Sequence, residues 1–455
     1  MKQTFKLSAA LLASVLALSS IPVSAAEDDP AVTMLATFRF DADGIHASGE
    51  NYTVTDNIVT ITASGAYEFS GTLADGQICV SVPDESEDTG TVKLFLNGVD
   101  ITGVSEAPLY VENAENTSLN LMDGTENYFR DGGLYTNTLA VIYAKDDITI
   151  KAGGDEGSGK LTVEATYQHG IHCNNDVKVT GGILKVRSNE GDGETTGISD
   201  GIRGKTSVEI KGGKVDVNAG GDGIKSTKGI VTISGGETEV KAAKDAVQGE
   251  TGLSITGGSL KANGDRGLRL DNGTIEITGG VVLATATDYQ VNYPENNTVI
   301  SAAQATVLWS LTEEQVKDQE ILITDNETQE KIYSFTPDKK FRYILLSGEA
   351  LQDEESYYLT IGGKPLMPSD TTEEKIDGMI AELTDLIVVE NKISCDIDGN
   401  GKEELHDLVL LSKIINEDIA VKEIVTDAML QAADVDKDGT LTILDLRAAL
   451  QKMAN

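Results

Sequence analysis

The chain has only three cysteines in 455 residues: Cys79, Cys173 and Cys395. Their odd number and wide spacing exclude a disulfide framework and a cysteine-based zinc site. They read as small buried residues. Tryptophan occurs once, at Trp309, and aromatics make up 5% of the chain, so a flat tryptophan platform for a crystalline glycan has little to be built from. Basic residues are also scarce. Lys and Arg total 36 against 74 Asp and Glu, a formal net charge of −38. Duplex nucleic acid and a bare anionic membrane both require a cationic footprint, which argues against either as a partner. Beyond the N-terminus no apolar run is long enough to span a bilayer. What the chain does have is aliphatic side chains and glycine: 40% of residues are hydrophobic and 47 are Gly. That is the composition of many short strands joined by tight turns.

Residues 1–26 have the pattern of a cleaved secretory signal. Lys2 and Lys6 precede an apolar run from Leu7 to Ile21, and Val23-Ser24-Ala25-Ala26 offers small residues for cleavage. The expected product is a secreted, extracellular protein. Its organisation is read as a β domain over residues 27–363, a linker with an amphipathic helix over 364–392, and a separate module over 393–455.

The β domain is decided by an internal repeat. Asp200-Gly-Ile-Arg203, Asp222-Gly-Ile-Lys225, Asp245-Ala-Val-Gln248 and Arg266-Gly-Leu-Arg269 recur about every 22 residues. The glycine pairs Gly212-Gly213, Gly235-Gly236, Gly257-Gly258 and Gly279-Gly280 recur with the same period. Between the two markers, aliphatic residues alternate (Val208 and Ile210, Val231 and Ile233, Leu253 and Ile255, Ile275 and Ile277), which means strands with one face inward. Three short strands per repeat describe one coil of a parallel β-helix, a solenoid whose coils stack at about 4.8 Å. His169-Gly170-Ile171-His172 with Gly181-Gly182, and Ala140-Val141-Ile142-Tyr143 with Gly153-Gly154, extend the pattern upstream. Residues 295–363 are expected to cap the far end, because an open solenoid edge invites aggregation.

Equivalent positions in successive coils form ladders. Asp200, Asp222 and Asp245 make one. Carboxylates about 5 Å apart repel unless cations or hydrogen bonds intervene. Calcium is one candidate, with Asp192 and Glu194 nearby as further ligands; hydrogen bonds to turn amides are the other. Three residues on, His172, Arg203, Lys225, Gln248 and Arg269 make a mostly cationic ladder. It would suit an acidic polysaccharide through charge-assisted hydrogen bonds, or serve only to bridge neighbouring Asp and Glu. Tyr67, Tyr110, Tyr128, Tyr143 and Tyr167 could stack on sugars or simply pack.

Ala66-Tyr67-Glu68-Phe69-Ser70-Gly71-Thr72-Leu73, Leu96-Asn97-Gly98-Val99-Asp100-Ile101-Thr102 and Asp123-Gly124-Thr125-Glu126-Asn127 resemble the signatures of a bacterial family of secreted carbohydrate-binding proteins. The resemblance covers residues 30–363. It implies a pectate-lyase-like right-handed β-helix that binds plant cell-wall polysaccharide, polygalacturonate (pectin) and cellulose, with calcium held by the β-helix.

The most specific motif lies near the C-terminus. Asp396, Asp398, Asn400, Gly401, Lys402 and Asp407 occupy positions 1, 3, 5, 6, 7 and 12 of a calcium loop. Asp434, Asp436, Asp438, Gly439, Thr440 and Asp445 repeat the pattern. Side-chain oxygens at 1, 3, 5 and 12 and a backbone carbonyl at 7 suit Ca2+, and Gly at 6 permits the turn. Helix patterns follow each loop, over Leu408 to Ile415 and Leu446 to Met453. This duplicated EF-hand-like unit resembles a type I dockerin of cellulosomal proteins. That resemblance implies two calcium ions and docking to a cohesin on a scaffoldin through Leu405, His406, Ile443 and Leu444. Two alternatives to a binding module stand beside it: a polysaccharide lyase delivered by the same dockerin, with Arg203 or Lys225 as the base, and an adhesive surface protein without a glycan ligand.

Overall fold

The alternation of apolar residues does build strands, and the glycine pairs do turn the corners. The computed structural model describes residues 32–133, 138–189, 199–270, 273–288, 299–325, 328, 330–351, 357–366, 405–415, 433 and 449. Residues 1–33 form a unit of their own, nearly all of it outside the described residues.

One coil comprises Ile202–Gly204, Ser207–Ile210 and Lys214–Ala219; the next comprises Ile224–Ser226, Ile230–Ile233 and Glu237–Ala242. Each strand pairs in parallel with its counterpart one coil away: Ile202 with Ile224, Val208 with Val231, Val215 with Thr238. The described residues are mainly β, and the parallel ladders give a solenoid-like fold. One face is a 10-stranded sheet; the other two merge into a 19-stranded sheet. They merge because strands such as Gly252–Gly264 and Thr274–Ala286 continue round the corner, shifting register at the glycine pair.

Each coil's inward residues fill the interior. Ile202, Val208, Ile210, Val215, Val217 and Ala219 are all buried, and the same positions recur in the coils on either side. Burying each aliphatic side chain contributes about 1.5–3 kcal/mol, but only where another coil covers it. The corner glycines are forced. Gly236 has φ +76°, and a Cβ there would lie 2.5 Å from the carbonyl oxygen of Gly213 in the coil beneath. At Gly201 the constraint is space: a Cβ would meet Val217 Cγ1 at 2.3 Å.

The segments that carry the family resemblance make corners too. Buried Asn127 accepts hydrogen bonds at Oδ1 from the amides of Gly98 (2.9 Å) and Val99 (3.0 Å) and donates from Nδ2 to the Lys160 carbonyl. Asp123 accepts from the amides of Glu156 and Ser158. Tyr67 is fully buried, with its hydroxyl donating to the Ala63 carbonyl.

At the far end Phe341–Ser347 pairs antiparallel with Thr274–Ala286 and stops the parallel ladder. A four-stranded antiparallel sheet built from residues 321–365 completes this cap, with its own core around Phe341 and Leu359. Trp309 packs there, half-buried. Leu405–Ile415 is an α-helix with Leu408, Leu410 and Leu411 buried and Val409 exposed.

Candidate functional site

The Asp ladder is a chain of hydrogen bonds running along the solenoid. Asp200 Oδ1 accepts the backbone amide of Asp222 at 3.0 Å, and Asp222 Oδ1 accepts that of Asp245 at 3.1 Å. His169 stands in the same position one coil earlier, and its Nδ1 accepts the amide of Asp200 at 2.9 Å. At the other end the position is taken by Arg266, whose Nε donates to Asp245 Oδ1 at 2.6 Å. All three carboxylates are buried.

Their second oxygens face the cationic ladder. Arg203 Nη1 reaches Asp200 Oδ2 at 3.2 Å, and Lys225 Nζ reaches Asp222 Oδ2 at 2.5 Å. Gln248 carries no charge, and Arg269 of the next coil supplies the ion pair to Asp245 at 2.9 Å. Both the turn-amide hydrogen bonds and the salt bridges open in the sequence are therefore present. Among the described residues no group of three or more His, Cys, Asp or Glu is arranged to hold a metal ion. Asp192 and Glu194 lie outside the described residues.

Burial has two electrostatic consequences. His169 is driven down to about 3, by desolvation first and by the Arg203 charge second. An imidazole whose Nδ1 accepts an amide must in any case leave that nitrogen unprotonated. His172 is lowered to about 4 for the same two reasons, and its Nδ1 is buried without a partner among the described residues. Asp200 is raised by desolvation and by the neighbouring Asp222.

The structure adds to the outward ladder what the sequence spacing concealed. Tyr110 pairs with Tyr143, Tyr143 with His172, and His172 with Arg203. Lys225, Gln248 and Arg269 follow in register. Tyr110 and Tyr143 have ring centroids 6.0 Å apart, and His172 meets Tyr143 edge-on at 5.2 Å. The result is one stripe across seven coils, about 29 Å long at the strand spacing, aromatic at one end and cationic at the other. Irregular insertions between residues 110 and 169 hide this register from a 22-residue period. Of the other tyrosines, Tyr67 is in the core, Tyr128 lies under the Arg130 guanidinium at 4.4 Å, and Tyr167 is exposed.

Such a stripe has the chemistry of a glycan surface. Ring faces cover sugar C–H faces, and guanidinium and ammonium groups bond hydroxyls and carboxylates. A family model described as carbohydrate-binding domain-containing protein matches residues 55–333, more than half of the chain and all of this stripe. The chain belongs to that family. A carbohydrate-binding domain-containing protein of Acetivibrio thermocellus is 39% identical over 161 residues, which cover 34% of this chain and 53% of the relative. The chain thus spans about half the length of that relative. A solved structure, described as the polysaccharide lyase-like protein from C. thermocellum in a gadolinium derivative, is 32% identical with a TM-score of 0.46, covering 59% of this chain and 96% of that one.

As a base for β-elimination, neither Arg203 nor Lys225 is well placed. Each is already engaged in an ion pair with a buried carboxylate, Arg203 with Asp200 and Lys225 with Asp222. Of the C-terminal residues, Leu405, His406 and Asp407 fall in the helix Leu405–Ile415. Asp396, Asp398, Asn400, Lys402, Asp434, Asp436, Asp438, Thr440, Ile443, Leu444 and Asp445 lie outside the described residues, as does Cys395. Cys79 and Cys173 are free and buried, as read from their spacing.

Proposed function

We propose that this protein is secreted, associates with a cellulosome, and binds plant cell-wall polysaccharide along the stripe from Tyr110 to Arg269. The observation that carries the reading is the register of that stripe in a chain of a carbohydrate-binding family. Polygalacturonate is the first ligand, because Arg203, Lys225 and Arg269 are a cationic line on a chain of charge −38. Cellulose is the second, through Tyr110 and Tyr143. The solenoid in this reading is a right-handed β-helix, the hand favoured wherever parallel strands are joined by crossovers. Residues 393–455 are a dockerin that holds two Ca2+ in the loops beginning at Asp396 and Asp434. It presents Leu405, His406, Ile443 and Leu444 to a scaffoldin cohesin. The motif spacing supports this, with a helix where the pattern after the first loop expects one. Calcium on the β-helix itself would have to compete with the partners that Asp200, Asp222 and Asp245 already have.

The test is retention of the full chain on polygalacturonate and on cellulose, with release of unsaturated oligosaccharides followed in the same samples. Retention without product supports a binding protein. Product that accumulates with time would make it a lyase, and neither retention nor product would remove the glycan from the account.

A further inference from the structure

We propose that the outer face of the 19-stranded sheet carries a second saccharide site, separate from the stripe, which takes the end of a neutral sugar chain. It shares with the proposed function only its class of ligand. An open groove of about 290 Å³ lies over Lys214, Asp216, Glu237 and Ser259. It continues, through Asp216, Glu239 and Lys261, into a space of about 110 Å³ over Arg187, Asn218 and Asn263. The cap walls the inner end with Phe335, Thr336 and Asp338. Lys241 Nζ holds Asp338 at 2.9 Å, and Lys339 Nζ donates to the Ala242 carbonyl at 2.5 Å, so this wall is fastened to the sheet. The groove follows the strands. From Ser259 to Asn263 it runs about 13 Å and then stops, the shape for a chain end rather than for a chain passing through.

Asn263 lies at the closed end. It is 3% exposed, and neither its Oδ1 nor its Nδ2 has a partner among the described residues. A buried amide left so has lost its hydration with nothing in exchange. What satisfies it is a group that donates and accepts at one point, which is what a hydroxyl does. A single water needs only about 10–15 Å³, so the space holds more than one. Glu239 and Lys261 are side by side in register, yet neither makes an ion pair among the described residues. Three cations (Arg187, Lys241, Lys261) and three carboxylates (Asp216, Glu239, Asp338) line the inner space, so it favours neither an anion nor a cation. Uncharged and hydroxyl-rich describes a neutral sugar unit.

Calorimetric titration of the full chain with cellotetraose tests this, with tetragalacturonate as the charged counterpart. The stripe is first disabled by Tyr143→Leu with Arg269→Gln; in that background cellotetraose is expected to bind more tightly than tetragalacturonate does, and at least tenfold more weakly once Asn263→Leu or Lys261→Met is added. Lys261 is on the open lip, so Lys261→Met carries the test if Asn263→Leu fails to fold. The proposal is overturned if cellotetraose does not bind the stripe variant, if tetragalacturonate binds that variant equally well, or if adding Asn263→Leu and Lys261→Met leaves its cellotetraose binding unchanged. It is also overturned if Asn263→Leu simply melts higher with binding unchanged, which would mean that the space holds only water. Failure of the stripe reading would show separately, as polygalacturonate retention that ignores Tyr143 and Arg269.

Discussion

Gly236 shows how narrow the choice is at a solenoid corner. Its positive φ and the carbonyl 2.5 Å from the position of a Cβ act together. Gly236→Ala is expected to cost at least about 2 kcal/mol, read as a lowered midpoint in urea unfolding. Gly98, also at positive φ (+74°) but with open space around its Cβ position, should tolerate Ala better. His169 and His172 make a second prediction. Their folded values, about 3 and about 4, lie below the ordinary 6.5, so the unfolded chain takes up protons that the folded chain refuses. Their contribution to stability is complete above about pH 6.5 and is lost as pH falls toward the folded values. Raised Asp200 acts in the opposite sense, its contribution growing as pH falls through the acid range. The His effect is therefore read most cleanly between pH 7 and pH 5. The native chain should be less stable at pH 5 than at pH 7, and His169→Gln with His172→Gln should lose most of that difference.

In the strands and their ladders, the carboxylate chain is a device for joining coils. Asp200 and Asp222 each bond the next coil's backbone with one oxygen and a cation with the other, whereas Asp245 takes the side chains of Arg266 and Arg269. Asp222→Ala would leave the Asp245 amide unbonded and Lys225 half-buried without its anion, at a cost of about 3–5 kcal/mol. Asp222→Asn keeps the amide acceptor and should cost less; thermal and urea melts of the two variants give the order. The repeat of residues 200–280 was plain in the sequence, and both ladders drawn from it stand in the predicted register, because identical coils place identical residues in line. The aromatic half of the stripe was not legible. Tyr110, Tyr143 and His172 are 33 and 29 residues apart, and only the strand pairing counts out the loops between them. Nor could the sequence show that Arg269 replaces the cation missing at Gln248, since that requires the distance across two coils. The groove at Asn263 depends on the cap folding back over the sheet, which no local pattern encodes.

For the whole molecule, the proposed function reconciles strong negative charge with a carbohydrate-binding family by assigning the cations of the stripe to the ligand. Most of the chain repels a polyanion, but repulsion between exposed charges fades beyond about 8–10 Å at physiological salt, whereas the proposed contacts on the stripe would be direct. The two proposed halves act independently in this account. Chelation of calcium should abolish cohesin capture by the full chain while leaving most of its polygalacturonate retention, and co-precipitation with a cohesin in the presence and absence of chelator checks this. The central claim is that Tyr110 to Arg269 form the glycan surface. Arg269→Gln is the informative change there, because Arg266 still pairs with Asp245 and the fold is spared. The measurement is retention on immobilised polygalacturonate of the native chain against Tyr143→Leu with Arg269→Gln, both shown to be folded by their melting curves. The account predicts retention of the native chain and a loss of tenfold or more in the variant. Equal retention by two folded proteins would contradict it and send the search for the glycan to another face.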